Sequence, residues 1–132
     1  MSTILLAVDR DEDRAVAQAE SIVGLELESA STRVRVVHIF TDNPEGASVT
    51  QLGAVRRAKA VLEAAGFDVG VEGRSGNPVD EILDAADEHE ADVITIAGRK
   101  RSPAGKALFG SVAQGVFLNT NRSVLLCSER DA

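Results

Sequence analysis

The sequence predicts an open, doubly wound parallel α/β sheet of five strands with helices on both faces, and three observations carry that prediction. Short apolar runs with no internal alternation recur along the chain, the pattern of strands covered on both faces. Between them lie segments whose apolar residues fall at helical spacing, so strand and helix alternate from end to end. Cap and turn residues stand at the junctions, most plainly at Asn77-Pro78.

The first strand is Thr3 to Val8, closed by Asp9. Ala15, Ala19, Ile22, Val23 and Leu27 then mark the inner stripe of a helix, whose start carries Asp11, Glu12 and Asp13 where the helix dipole favours negative charge. Val34 to Phe40 is the second strand, and the turn-like Asp42-Asn43-Pro44-Glu45-Gly46 follows it. Leu52, Val55, Ala58, Leu62 and Ala65 mark the second helix, which Gly66 stops as a C′ glycine. A weaker strand runs from Phe67 to Gly73. The third helix has Asn77 as cap, Pro78 at its first position, and an inner stripe of Val79, Ile82, Leu83 and Ala86. Asp92 to Ala97 is the fourth strand, Gly98 to Gly110 a loop or short turn, and Ser111 starts a fourth helix with Val112, Val116 and Phe117 inward. Ser123 to Ser128 completes the sheet.

A chain of 132 residues, 44% hydrophobic and 27% charged, is expected to form one domain over 1–132, with no second domain, repeat or low-complexity tract. No apolar stretch reaches the roughly 18 residues of a membrane span, and the first strand meets Asp9 too early for a secretory signal, so a cytoplasmic protein is expected. Cys127 is the only cysteine and His38 and His89 the only histidines, which excludes a disulfide and a Cys/His zinc site. A net charge of −7 with no Trp or Tyr argues against nucleic acid, as both phosphate attraction and stacking platforms are missing.

In an open parallel sheet ligands gather beyond the carboxyl ends of the strands, here near Asp9, Phe40, Arg74 and Gly98. Charge distribution singles out Gly98: from Val93 to Ser128 there is no acid, but there are Arg99, Lys100, Arg101, Lys106 and Arg122. That segment is +5 within a chain of −7, leaving −12 for the remainder. A cationic loop entering a helix N-terminus is a phosphate site in waiting, because side-chain charge adds to free N–H groups. Gly98, Gly105 and Gly110 allow close backbone approach, and Ser111 can donate its hydroxyl. The competing reading makes Ser111 and Gln114 a capping box. Gly105-Lys106-Ala107 is not a phosphate-binding P-loop, since the Ser/Thr and the earlier glycine are missing.

Asp9 suits a ribose hydroxyl, Mg²⁺, a cap or an ion pair with nearby arginines, and with Asp11, Glu12 and Asp13 it forms an acidic cluster that could draw a metal. His38 reads as a satisfied core histidine, His89 as a partner of its helix dipole, and Cys127 as an inert buried thiol. A phosphoacceptor receiver domain needs an aspartate closing the third strand, where this chain has Gly73-Arg74-Ser75.

Ile4 to Asp9, Val36 to Phe40, Gly76-Asn77-Pro78, Ala91 to Gly98, Gly110-Ser111-Val112-Ala113 and Arg122 to Leu126, in that order, resemble the universal stress protein family. The resemblance implies strand order 3-2-1-4-5, dimerisation, and membership of either a branch that binds ATP or one that does not. The family's nucleotide signature is Gly, two residues, Gly, nine residues, then Gly-Ser/Thr. Gly98 and Gly110-Ser111 match its ends, whereas Arg101 replaces its second glycine and the loop is one residue shorter. By similarity, adenosine lies against Ala7, Asp9, Ile39 and Ala97, the phosphates lie at Gly98, Lys100, Arg101, Gly110, Ser111 and Val112, and Mg²⁺ rides on the phosphates. The implied function is a homodimeric adenine-nucleotide-binding stress or regulatory protein, paired through the edge strand Ser123 to Ser128, with slow hydrolysis or none. The alternative is a dimeric interaction protein of the same fold without nucleotide.

Overall fold

The computed structural model describes residues 1–41, 48–98 and 110–127. The strands are β1 (Ser2–Ala7), β2 (Thr32–Phe40), β3 (Asp68–Ser75), β4 (Val93–Ala97) and β5 (Ser123–Cys127). The helices are α1 (Glu12–Gly24), α2 (Gly53–Ala64), α3 (Pro78–Glu88) and α4 (Ser111–Leu118), with short 3-10 turns at Ser29–Ser31 and Val49–Gln51. The five strands form one sheet in the order β3-β2-β1-β4-β5, and every pairing is parallel. The predicted fold class and strand order are those observed.

Alternate residues of the central strands feed two cores. Ile4, Leu6, Val34 and Val36 meet the buried stripes of α1 and α2. Leu5, Val37, Ile94 and Ile96 meet those of α3 and α4 on the opposite face. Burial on both faces explains the unbroken apolar runs of β1, β2 and β4. The outer strand β3 has no fully buried residue, which accounts for its weak signal in the sequence.

Local chemistry fixes the helix ends. Asp11 caps α1 by accepting from the Arg14 N–H at 3.0 Å, and Asn77 caps α3 by accepting from the Asp80 N–H at 3.2 Å with Pro78 next. After α2, Gly66 takes φ +93°. Its N–H donates to Glu63 O and that of Phe67 to Leu62 O, the paired bonds of a Schellman stop.

Four expectations shift. α1 ends at Gly24, leaving Leu27 beyond it and exposed, because the chain turns at Glu26 with φ +55°. Phe117 is exposed rather than inward, and the inner positions of α4 are Ala113 and Val116, three residues apart on one face. Val8 lies just past β1, and Phe67 precedes β3 as the buried residue closing the α2 stop. The turn 42–46 and most of the loop 98–110 lie outside the described residues.

Candidate functional site

The crossover from β1 through α1 leads to β2 on one side of β1, and that through α3 leads to β4 on its other side. The reversal opens a crevice beyond the carboxyl ends of β1, β2 and β4. A cavity of about 510 Å³ occupies it. Ala7, Ile39 and Ala97 come from the strand ends, Pro78 and Ile82 from the first turns of α3, and Val112 and Ala113 from the start of α4. Asp9, Arg10 and Asp11, which follow β1, and Thr41, which follows β2, supply the polar lining. Small and branched apolar walls with polar groups at one rim suit a flat, partly polar ligand.

Five predicted site residues, Ala7, Asp9, Ile39, Ala97 and Val112, line this one cavity. Gly98, Gly110 and Ser111 are described but are not among its walls. Lys100, Arg101 and Gly105 lie outside the described residues.

Asp9 is held at both carboxylate oxygens. Oδ1 accepts from the Asp11 N–H at 2.9 Å, and Oδ2 accepts from Arg14 Nη1 at 2.6 Å. Of its sequence readings, the ion pair is the one the structure displays. The expected acidic cluster is divided by function: Asp11 caps α1, while Glu12 and Asp13 approach Arg57 at 3.7 and 3.6 Å. Among the described residues no group of three or more His, Cys, Asp or Glu is arranged to hold a metal.

The phosphate end is corrected in two respects. Gly110 itself is the cap residue of α4, with φ −66° and no side-chain hydrogen bond. Ser111 therefore occupies the first helical position, and the predicted Ser111–Gln114 capping box does not form. The first N–H groups of α4 thus have no side-chain cap. Gly98 is not in the left-handed region. Its N–H donates to Cys127 O at 2.8 Å, and an added Cβ would meet only ordinary contacts from 3.8 Å. Neither glycine is required by a positive φ.

The remaining candidates serve structure. His38 is buried, its Nδ1 2.9 Å from Val8 O, and because a carbonyl only accepts, Nδ1 carries the hydrogen. Its ring meets Phe40 edge-on at 4.7 Å. His89 ends α3 through its backbone N–H, while its imidazole turns to Glu72, with Nε2 2.8 Å from Oε2. Arg74 is committed to Glu72, Glu81 and Glu88 at 2.8, 3.0 and 2.6 Å, so the end of β3 offers no free cation to a ligand. Cys127 is buried, and burial pushes its thiol pKa up despite a hydrogen bond with Ser21 that acts the other way.

Sequence reasoning missed Arg10, Thr41, Pro78, Ile82, Ile96 and Ala113 as walls, and likewise Val8, Asp11, Val37 and His38, the last read only as a core histidine. Pro78 carried a usable signal, because a helix following a strand's carboxyl end starts at the ligand-binding rim.

The sequence profile of the family described as "Universal stress protein family" matches residues 1–128. A universal stress protein of Mycolicibacterium smegmatis is 35% identical over 74 residues, spanning 55% of this chain and 57% of that protein. Just over half of that relative's length is therefore matched. A universal stress protein from Archaeoglobus fulgidus superposes with a TM-score of 0.70 at 32% identity, covering 96% of this chain and 98% of that one. Another structure from Archaeoglobus fulgidus, in complex with dAMP, has a TM-score of 0.69 at 25% identity, with coverage of 96% and 98%.

Proposed function

The chain belongs to the universal stress protein family, and from that membership and the cavity at the sheet's reversal point we propose that it binds an adenine nucleotide, ATP in the first instance. The observation that carries this reading is the convergence of Ala7, Asp9, Ile39, Ala97 and Val112 on one cavity of nucleoside size. A relative of the same fold was crystallised with dAMP, which supports adenine as the base.

In this reading the base and ribose enter between Ile39, Ala97 and the start of α3, where burial of a planar ring supplies the driving force. Asp9 and Arg14 form a ready-made polar pair for ribose hydroxyls, and a hydroxyl that bonds Asp9 must share it with the guanidinium. The phosphates extend towards Gly98, Gly110, Ser111 and the uncapped N–H groups of α4, with Lys100 and Arg101 adding charge. When bound, Mg²⁺ neutralises the phosphate oxygens and is held by them. His38, Asp9 and Asp11 border the cavity, but His38 Nδ1 is bonded to Val8 O, Asp9 is paired with Arg14 and Asp11 caps α1, which favours a regulatory nucleotide binder with slow turnover or none.

The functional unit is a cytoplasmic homodimer joined through β5, a single domain over 1–132 in each subunit. Three half-buried apolar residues of β5, Val124, Leu125 and Leu126, lie at the edge of the sheet and favour a second strand there. Calorimetric titration with ATP and Mg²⁺ tests the reading. Saturable heat displaced by AMP is expected. No heat at millimolar nucleotide, in low and in high salt, would instead identify an interaction protein of the same fold.

A further inference from the structure

On the α1 side of the sheet a groove of about 620 Å³ runs between α1 and β5, sharing no wall with the nucleotide cavity. Helix α1 carries two apolar stripes. Ala15, Ala19 and Ile22 are buried in the core, while Val16 and Ala17 remain half-buried and line the groove. Leu125 and Cys127 of β5 line the other side, and Leu25, 51% exposed, sits at the end of the helix.

The charged side chains that line this groove among the described residues are acidic. Asp13 and Glu20, seven residues apart and so about 10 Å along one face of α1, both line it, and among the described residues no Lys, Arg or His does. Asp13 has Arg57 3.6 Å away. Glu20 continues into a stretch from Ala15 to Thr32 that holds Glu20, Glu26 and Glu28 and no cation. Within that stretch Leu27, also exposed, sits between two of the acids. Exposed leucines inside an acidic rim are complementary to a segment that carries apolar residues on one face and cations beside them.

We propose that this groove docks a basic amphipathic helix of another protein, its apolar face on Val16, Ala17 and Leu125 and its Lys or Arg side chains on Glu20 and Asp13. A second copy of the chain is disfavoured as occupant, because an isologous contact would set these acids against their own duplicates. The proposal stands apart from nucleotide binding, and through it the protein would report to a partner.

The test uses the full chain and a fluorescein-labelled helical peptide of Leu and Lys, roughly four turns long, with a Leu/Glu peptide of the same pattern for comparison. Fluorescence polarisation near physiological salt is expected to show saturable binding of the Leu/Lys peptide alone. Ala17→Trp, which fills the groove, is expected to weaken it about tenfold, and Glu20→Lys at least about threefold. Glu63→Lys on the exposed face of α2 changes the net charge equally and is expected to leave binding intact. Thermal melts of all variants confirm folding. Equal loss in Glu63→Lys and Glu20→Lys would show attraction to overall charge and overturn the proposal. So would unchanged binding by a folded Ala17→Trp, no binding at all, or light scattering in which Ala17→Trp abolishes self-association, which would make a second copy the occupant.

Discussion

Arg74 shows how one side chain can be absorbed by architecture. Its side chain is 14% exposed and touches carboxylates on β3 and at both ends of α3. Those bonds raise the guanidinium pKa further, with the Glu88 contact the largest cause, and Arg74 holds the Glu88 carboxyl below its usual range. A carboxylate whose folded pKa is depressed stabilises the fold above its unfolded pKa, and loses that contribution as pH falls through the folded value. Arg74→Met is therefore expected to cost about 1–3 kcal/mol at neutral pH, because Glu72 and Glu81 lose their partner in a half-buried setting. Thermal melts should show the gap between variant and wild type narrowing as pH falls through the depressed Glu88 value. A gap independent of pH would assign Arg74's contribution to packing of its aliphatic stem.

Elements whose instructions lie close together in sequence were readable, and those set by distant contacts were not. Asn77-Pro78 specifies the start of α3 within four residues, and Gly66 specifies the end of α2, since both act through neighbouring backbone groups. The inner face of α4 was not local information. Val112, Val116 and Phe117 are all apolar, and only packing of Ala113 and Val116 on the sheet separates the buried positions from the exposed Phe117. Ser111 misled for a related reason, because a cap shifted by one residue to Gly110 leaves the same letters in place. Edge strand β5 carries a prediction at this scale. Leu126→Pro removes a donor from its open edge, and analytical ultracentrifugation is expected to show a folded monomer or an aggregate in place of the proposed dimer. An intact dimer would move the interface away from β5.

For the molecule as a whole, charge is divided between regions. The segment 93–128 is +5 and the chain is −7, so a polyphosphate ligand is expected to be favoured by that stretch of sequence over the acidic remainder. Lys100→Glu with Arg101→Glu is expected to weaken ATP more than adenosine in parallel titrations, with stability changed by no more than about 0.5 kcal/mol. Equal affinities would reduce the basic segment to solvated surface. The position of the cavity was legible in part: of the strand-end residues that chain reversal pointed to, Asp9 borders it while Phe40, Arg74 and Gly98 do not, and Ala7, Ile39 and Ala97 followed from the family resemblance. Its side walls were not, since Pro78, Ile82 and Ala113 arrive by helix packing that no short motif encodes.

The central place of β1 has a consequence for how the chain comes into being. Its residues are translated before those of its partner strands, and one flank finds β2 about thirty residues later, as Ser2 meets Thr32. The other flank waits for β4, where Ile4 meets Val93 and where Thr3 and Asp92 exchange two hydrogen bonds. Until then a growing chain is expected to hold β1, β2 and β3 against α1 and α2, the elements of one core, with an unpaired strand flank beside them. Loop closure over such a span is slow, so the second half is expected to dock late. Stopped-flow refolding checks this: Val36→Ala, in the early core, should slow folding, whereas Ile94→Val should mainly hasten unfolding. The reverse pattern would place the nucleus in the later half. In the expected order, the unpaired flank of β1 is the surface a chaperone must shield during synthesis.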